Sequence, residues 1–150
     1  YNNTARADTI AIYGRLYNWY AATDNRNIAP EGWHVPTLSE WVQLYDYLGG
    51  IDAGGQLKET GTTHWLSPNG GADNSTGFTA LPAGIRGADH FNGGENAPFG
   101  GAGEISVWWS STVDYDWMAY GPQLFWGNGQ GSTHGGRSKV SGLSIRCIKD

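Results

Sequence analysis

Apolar residues first fall into register at Ala11. Ile12, Leu16, Trp19 and Tyr20 occupy positions i, i+4, i+7 and i+8, and this spacing predicts a helix with one apolar face. Gly14 weakens its first turn, and Asp24-Asn25-Arg26-Asn27 ends it. Ala29-Pro30-Glu31-Gly32 reads as a turn. Trp33-His34-Val35 reads as a short extended piece, kept out of the helical region by Pro36. Thr37-Leu38-Ser39-Glu40 then has the form of a capping box, in which the Thr37 hydroxyl and the Glu40 carboxylate each take a backbone amide of the other residue. Trp41, Leu44, Tyr45 and Leu48 follow as the stripe of a second amphipathic helix, which Gly49-Gly50 stops.

Beyond residue 51 the pattern predicts no further helix longer than a turn. Gln56-Leu57-Lys58-Glu59 reads as a short strand or turn, and residues 69–75 as a loop. Gly84-Ile85-Arg86 reads as a strand leaving a turn. Residues 87–104 form a long loop, a feature that inside a compact domain is usually functional. Strands are expected at about 105–112, 118–126 and 142–149. In the last, Leu143, Ile145 and Cys147 alternate with Ser144, Arg146 and Ile148.

Trp108-Trp109-Ser110-Ser111-Thr112 stands out within this pattern. Successive side chains of an extended chain point to opposite sides, so the two indoles cannot share one environment. One is expected in the core, the other on the opposite face or under a loop. The small hydroxyl residues that follow suit close passage beside other backbone. The expectation is a rigid, tryptophan-pinned platform with function on the surrounding loops and strand faces.

Composition sharpens this picture. Glycine supplies 24 of 150 residues, Trp 8 and Tyr 8, while only 15% are charged. Disordered chains lack aromatic residues, so this mixture points to a loop-rich fold whose buried area comes largely from a few big rings. The length suits a single domain over residues 1–150. A net charge of -5 argues against a nucleic-acid footprint, which needs clustered Lys and Arg. No apolar run approaches a membrane span. The lone Cys147 rules out an intrachain disulfide or a multi-cysteine metal site, and its strand pattern reads as structural.

Candidate chemistry is sparse. His34, His64, His90 and His134 show no close metal-ligand spacing. Asp73-Asn74, Asp89, Glu95-Asn96 and Glu104 could supply some of the six to eight oxygens calcium needs, but without an EF-hand spacing. No cofactor is expected on this basis, with calcium left open. Gly127, Gly129, Gly131, Gly135 and Gly136 fit hairpin turns better than a phosphate loop, because no helix follows them.

The richest set is aromatic. Tyr115, Trp117, Tyr120, Phe125 and Trp126 lie among Asp114, Asp116, Gln123, Asn128, Gln130, His134 and Arg137. Aromatic faces beside amides and charges suit sugar rings or protein surfaces. The competing reading is that Trp117 and Phe125 simply fill the core. The candidate ligand-binding residues are Tyr115, Trp117, Tyr120, Gln123, Trp126, Asn128, Gln130, His134 and Arg137.

Several stretches, in order, resemble one bacterial family. They are Tyr13-Gly14-Arg15-Leu16-Tyr17-Asn18-Trp19-Tyr20-Ala21, then Ala29-Pro30-Glu31-Gly32-Trp33-His34-Val35-Pro36-Thr37 with Glu40-Trp41. Leu57-Lys58-Glu59-Thr60, Ser75-Thr76-Gly77-Phe78-Thr79-Ala80-Leu81-Pro82, Trp108-Trp109-Ser110-Ser111-Thr112 and Gly142-Leu143-Ser144-Ile145-Arg146-Cys147 continue the series. Together they resemble the Fibrobacter succinogenes major paralogous domain over residues 13–147. The resemblance implies an α+β, C-type-lectin-like fold related to formylglycine-generating enzymes, with two helices flanking a twisted antiparallel sheet and long loops on one side. It implies an extracellular or cell-surface location in a bacterium. Similar domains serve as diversified binding proteins of retroelement systems.

Two departures stand out. The family's usual N-terminal strand before Tyr1-Asn2-Asn3 is missing from this sequence, and Ala83-Gly84-Ile85-Arg86 replaces a common Gly-Gly-Tyr-Arg. Enzymes of the formylglycine-generating type use a cysteine pair, which this chain lacks. The expectation is therefore a non-catalytic recognition domain for a protein or glycan, using the loops of residues 87–104 and 113–137. A surface-fibre subunit completed by a strand in trans is the alternative, and an enzyme comes third. Neither nucleic acid nor a membrane span is expected.

Overall fold

A computed structural model describes residues 7–87 and 98–150. His90, Asp89, Glu95 and Asn96, with most of the expected 87–104 loop, lie outside the described residues. The architecture is α+β, with antiparallel strand pairing.

The first expected helix is in fact two. α1 spans Ala7–Tyr13 and α2 spans Trp19–Ala22. Gly14 takes a left-handed φ of 72°, which glycine adopts without strain, and the chain turns there. Tyr17 then pairs with Leu143 through two backbone hydrogen bonds of 2.8 and 2.9 Å. The Asn18 side chain caps α2 by accepting from the Ala21 amide. β1, Trp33–His34, confirms the short extended piece.

α3, Leu38–Leu48, forms as its sequence prescribes. The Thr37 hydroxyl accepts from the Glu40 amide, the Glu40 carboxylate accepts from the Thr37 amide, and Gly49 closes the helix in the left-handed region. Trp41 and Tyr45 are buried, with Leu44 and Leu48 packed beside them.

A 3-10 helix, Ile51–Leu57, follows where only a turn or strand was expected. It has no apolar period to announce it. What fixes it is close approach, since a Cβ on Gly55 would stand 2.0 Å from the Gly71 carbonyl oxygen.

The remaining strands are β2 (Ile85–Arg86), β3 (Phe99–Gly100), β4 (Ile105–Val107), β5 (Val113–Tyr115), β6 (Met118–Tyr120), β7 (Gln123–Phe125), β8 (Gly131–Ser132), β9 (Gly136–Ser138) and β10 (Ile148–Lys149). Among the described residues they make four small sheets, ordered β1-β10, β2-β3, β4-β7-β8 and β5-β6-β9, rather than one continuous sheet. The strand expected over 118–126 breaks at Gly121-Pro122, so β6 and β7 serve different sheets. Pro122 has no amide to donate to a ladder, and its carbonyl instead accepts from the Trp108 amide at 3.0 Å. The strand expected over 142–149 narrows to β10. Its earlier residues bridge singly to Tyr17, Arg86 and Trp108.

Trp108 and Trp109 lie where two cores meet. Trp108 is 6% exposed and packs with Trp41, Tyr45, Leu57, Trp65, Ala80 and Leu124. Trp109 is fully buried and packs with Ala22, Val107, Ala119 and Leu143. Both indoles are thus interior, one in each cluster, where the sequence suggested one in a core and one on a face or under a loop.

From Trp108 onward, successive amides go to different segments. Trp109 donates to Ser144, Ser110 to Tyr120 and Ser111 to Pro36, at 3.0, 3.0 and 2.8 Å. The Trp109 indole N–H reaches the Tyr17 carbonyl at 2.7 Å, and the Ser110 carbonyl accepts the Trp19 indole at 3.0 Å.

Lys58 is wholly buried. Its ammonium donates to the carbonyls of Gly70, Phe125 and Asn128 at 2.8, 3.0 and 2.8 Å, and lies 5.1 Å from the Trp65 ring. Desolvation pulls its pKa down to about 8, and the surrounding carbonyl oxygens act the other way by favouring the charged form.

Two outcomes are expected in denaturant unfolding at neutral pH. Trp109→Ala should lower stability by about 3–5 kcal/mol, the range for removing a fully buried large ring. Lys58→Met, which keeps the length but removes every donor, should lower it by about 3 kcal/mol because three carbonyls lose their partner.

Candidate functional site

The β5–β6 hairpin carries the most exposed pair of the candidate aromatics. Its tip is Tyr115-Asp116-Trp117, with Tyr115 64% and Trp117 57% exposed. The tip is nevertheless held firmly. The buried Lys139 donates its ammonium to the Asp116 carbonyl at 2.9 Å and its amide to the Trp117 carbonyl at 3.0 Å. Its charge also sits 4.5 Å from the Trp19 ring, which anchors the tip to the second core.

Alternation along β6 then sorts the neighbours. Ala119 points inward and is fully buried, so Met118 and Tyr120 face the other side. The Tyr120 hydroxyl donates to Asp114, an interaction that raises the phenol's pKa. Its ring meets His134 edge-on at 6.0 Å, and the His134 Nδ1 pairs with the Thr133 hydroxyl at 2.7 Å. Gly136 leaves room here, since a Cβ would stand 2.6 Å from the Met118 methyl and 2.7 Å from an Asp114 oxygen.

Arg137 lies across from Ala119 in β9 and hydrogen-bonds the Gln123 side chain. Burial pulls its pKa down, and its Nε has no hydrogen-bond partner. Arg137, Trp117, Ile85, Met118 and Leu143 help line a cavity of about 250 Å³.

Six of the nine candidate residues, namely Tyr115, Trp117, Tyr120, Gln123, His134 and Arg137, therefore belong to the β5-β6-β9 sheet and its immediate neighbours. The other three sit at the β7–β8 turn and hold it down. Trp126 packs against the first core and its carbonyl accepts from the Gly70 amide at 2.8 Å. Asn128 accepts from the Gln130 amide and offers its own carbonyl to Lys58. Gln130 donates to Asp52 at 2.7 Å. The reading of Trp117 and Phe125 as core filling fails, since both are exposed.

The remaining candidates are tied into local structure. Asp73 accepts from the Ser75 amide and Asn74 from the Thr79 amide, as turn caps do. His64 pairs with Glu59 at 2.9 Å. Among the described residues, no group of three or more His, Cys, Asp or Glu is placed to hold a metal ion. Cys147 is half-buried, and burial pushes its thiol up, with Arg146 acting the other way.

Sequence reasoning missed two features. Lys139, which fixes the hairpin tip, is an isolated lysine whose role depends on contacts distant in sequence. The second is a groove of about 340 Å³ lined by Trp33, Trp41, Leu44, Phe78, Arg146 and Ile148, among others. The alternation of residues 143–148 did mark Arg146 as facing away from the core, but nothing local placed Phe78 beneath it.

The geometry defines an α+β scaffold with a rigidly presented aromatic hairpin and, among its surface concavities, one beside Trp117 and one beside Arg146. The chain belongs to the Fibrobacter succinogenes major domain family, whose model matches residues 1–149. No curated protein and no solved structure matches it. Among the described residues, no helix is long and apolar enough to cross a membrane.

His34 offers a pH test of the scaffold beside the groove. Its ring bonds Asp150 at 2.6 Å and Glu40 at 2.8 Å, and these bonds raise its pKa above the usual 6.5. A raised histidine pKa stabilises the fold fully below pH 6.5, and the contribution is lost as pH rises through the folded value. Burial acts to raise Glu40, but its bonds to the Thr37 amide and hydroxyl and to His34 hold it lower overall. Its contribution is therefore lost as the medium turns strongly acid. Urea midpoints measured from pH 5 to 8 should fall more steeply for the wild type than for His34→Gln.

Proposed function

We propose that this chain is a non-catalytic recognition domain, exposed outside a bacterial cell or on its surface, built on a C-type-lectin-like scaffold. It holds a protein or glycan through the strands and turns that follow the Trp-Trp-Ser-Ser-Thr motif. The observation that carries this reading is the pinned hairpin tip. Tyr115 and Trp117 keep more than half of their surface in water while buried Lys139 bonds both carbonyls beside them. Rigid aromatic side chains supply contact area with little conformational entropy to lose, the quality that binding anchors share.

The neighbouring cavity narrows the ligand chemistry. Arg137 is among the residues that line it, and a guanidinium matches a carboxylate. A sugar or peptide carrying a carboxylate, with a flat apolar face for Trp117, suits both features. The lone, half-buried Cys147 supports the non-catalytic assignment, since its pKa is raised rather than lowered.

A second reading, a fibre subunit joined by an added strand, is favoured by one observation. Among the described residues, no backbone hydrogen bond engages residues 145–147.

The test is a glycan array including uronic and sialic acids, run beside a displayed peptide library, with the wild type, a Tyr115→Ala/Trp117→Ala double variant and Arg137→Gln. The wild type should retain a defined ligand. The double variant should bind it at least about thirtyfold more weakly, as loss of strong anchors implies, with its thermal midpoint nearly unchanged. Full binding by a folded double variant would refute the assignment.

A further inference from the structure

The last stretch of the chain changes partners twice. Ser144 bridges to Trp108, and Ile148 and Lys149 pair with His34 and Trp33. Between them, residues 145–147 have no backbone hydrogen bond among the described residues. Unpaired peptide groups along an extended segment are a template for another strand.

The groove runs beside this segment. Trp41, Leu44 and Phe78 give it an apolar lining. The Arg146 guanidinium lies 4.2 Å from the Phe78 ring and donates to the Phe78 carbonyl at 3.1 Å. No carboxylate among the described residues pairs with it. Glu40, the acidic residue of the lining, is already engaged by Thr37 and His34. Lys149 adds a second positive charge to the same rim. This local cationic patch belongs to a chain of net charge -5, so it selects by close contact rather than by the field of the whole molecule.

We propose that the groove docks an extended peptide segment of a partner protein. The peptide's main chain pairs with residues 145–147, an apolar side chain enters between Trp41, Leu44 and Phe78, and an acidic side chain meets Arg146. An apolar small molecule would satisfy the lining but leave the peptide groups without partners and the guanidinium without a carboxylate. The groove shares no residue with the hairpin tip, so this site is separate from that of the recognition reading above, and it uses the same unpaired segment as the fibre reading.

The test is selection of twelve-residue phage-displayed peptides against the whole chain, in parallel with Arg146→Gln. The wild type should enrich peptides in which Asp or Glu is flanked by apolar residues at alternate positions. A selected peptide should bind Arg146→Gln about tenfold more weakly, the scale of one charge-assisted pair. It should also slow hydrogen exchange at the Cys147 amide, and N-methylation of its alternate amides should abolish binding. Trp117→Ala should leave the affinity unchanged, which separates this site from the hairpin.

Circular dichroism checks that Arg146→Gln is folded. Arg146→Lys, which keeps the charge, should recover part of the affinity. The proposal is overturned if the wild type enriches nothing that Arg146→Gln loses. It is overturned equally if bound peptide leaves Cys147 exchange untouched. A concentration-dependent dimer that Arg146→Gln abolishes would overturn it in favour of a second copy of this chain as the occupant.

Discussion

Two large indoles on adjacent residues of an extended chain must point in opposite directions, and both must be covered. That demand organises the molecule. Trp108 gathers α3, the 3-10 helix and the Trp65 loop on one side, and Trp109 gathers α2, β6 and the Leu143 segment on the other. A backbone with a core on each side has no free face, so its amides must find partners among whichever segments close around it. Residues 108–111 do this one by one, donating to Pro122, Ser144, Tyr120 and Pro36. The small Ser110 and Ser111 allow that crowding.

Buried lysines complete the scaffold. Lys58 gathers three carbonyls from Gly70, Phe125 and Asn128, much as a bound cation would, and so fastens two turns to the first core. Lys139 does the same on a smaller scale for the β5–β6 tip. Short strands and glycine-rich turns bury little apolar area of their own, so point attachments of this kind determine where the turns sit. The consequence for function is a surface whose exposed aromatics are positioned by interior charges rather than by extended sheet.

The two concavities differ in what they offer. The one beside Trp117 places an arginine next to an exposed indole. The one beside Arg146 adds unpaired main chain to an apolar lining. The first suits a compact group, the second an extended one. Both place an arginine where no carboxylate of the described residues answers it.

Much of this was legible locally. The capping box at Thr37 and Glu40, the Trp41–Tyr45 stripe and the opposed indoles depend on neighbours within a few residues, and periodicity reports such relations directly. Gly14 and Pro122 carried a signal that the periodic reading passed over, since each interrupts a run that it took as continuous. The exposed character of Tyr115, Trp117 and Tyr120's surroundings followed from too many rings for one sheet face. Tertiary structure alone decided the rest. The 3-10 helix forms because Gly55 must touch Gly71; Trp126, Asn128 and Gln130 fasten the β7–β8 turn; and Arg146 meets Phe78. Each of these joins residues far apart along the chain through packing distance, a quantity that hydrophobic period and residue type do not encode.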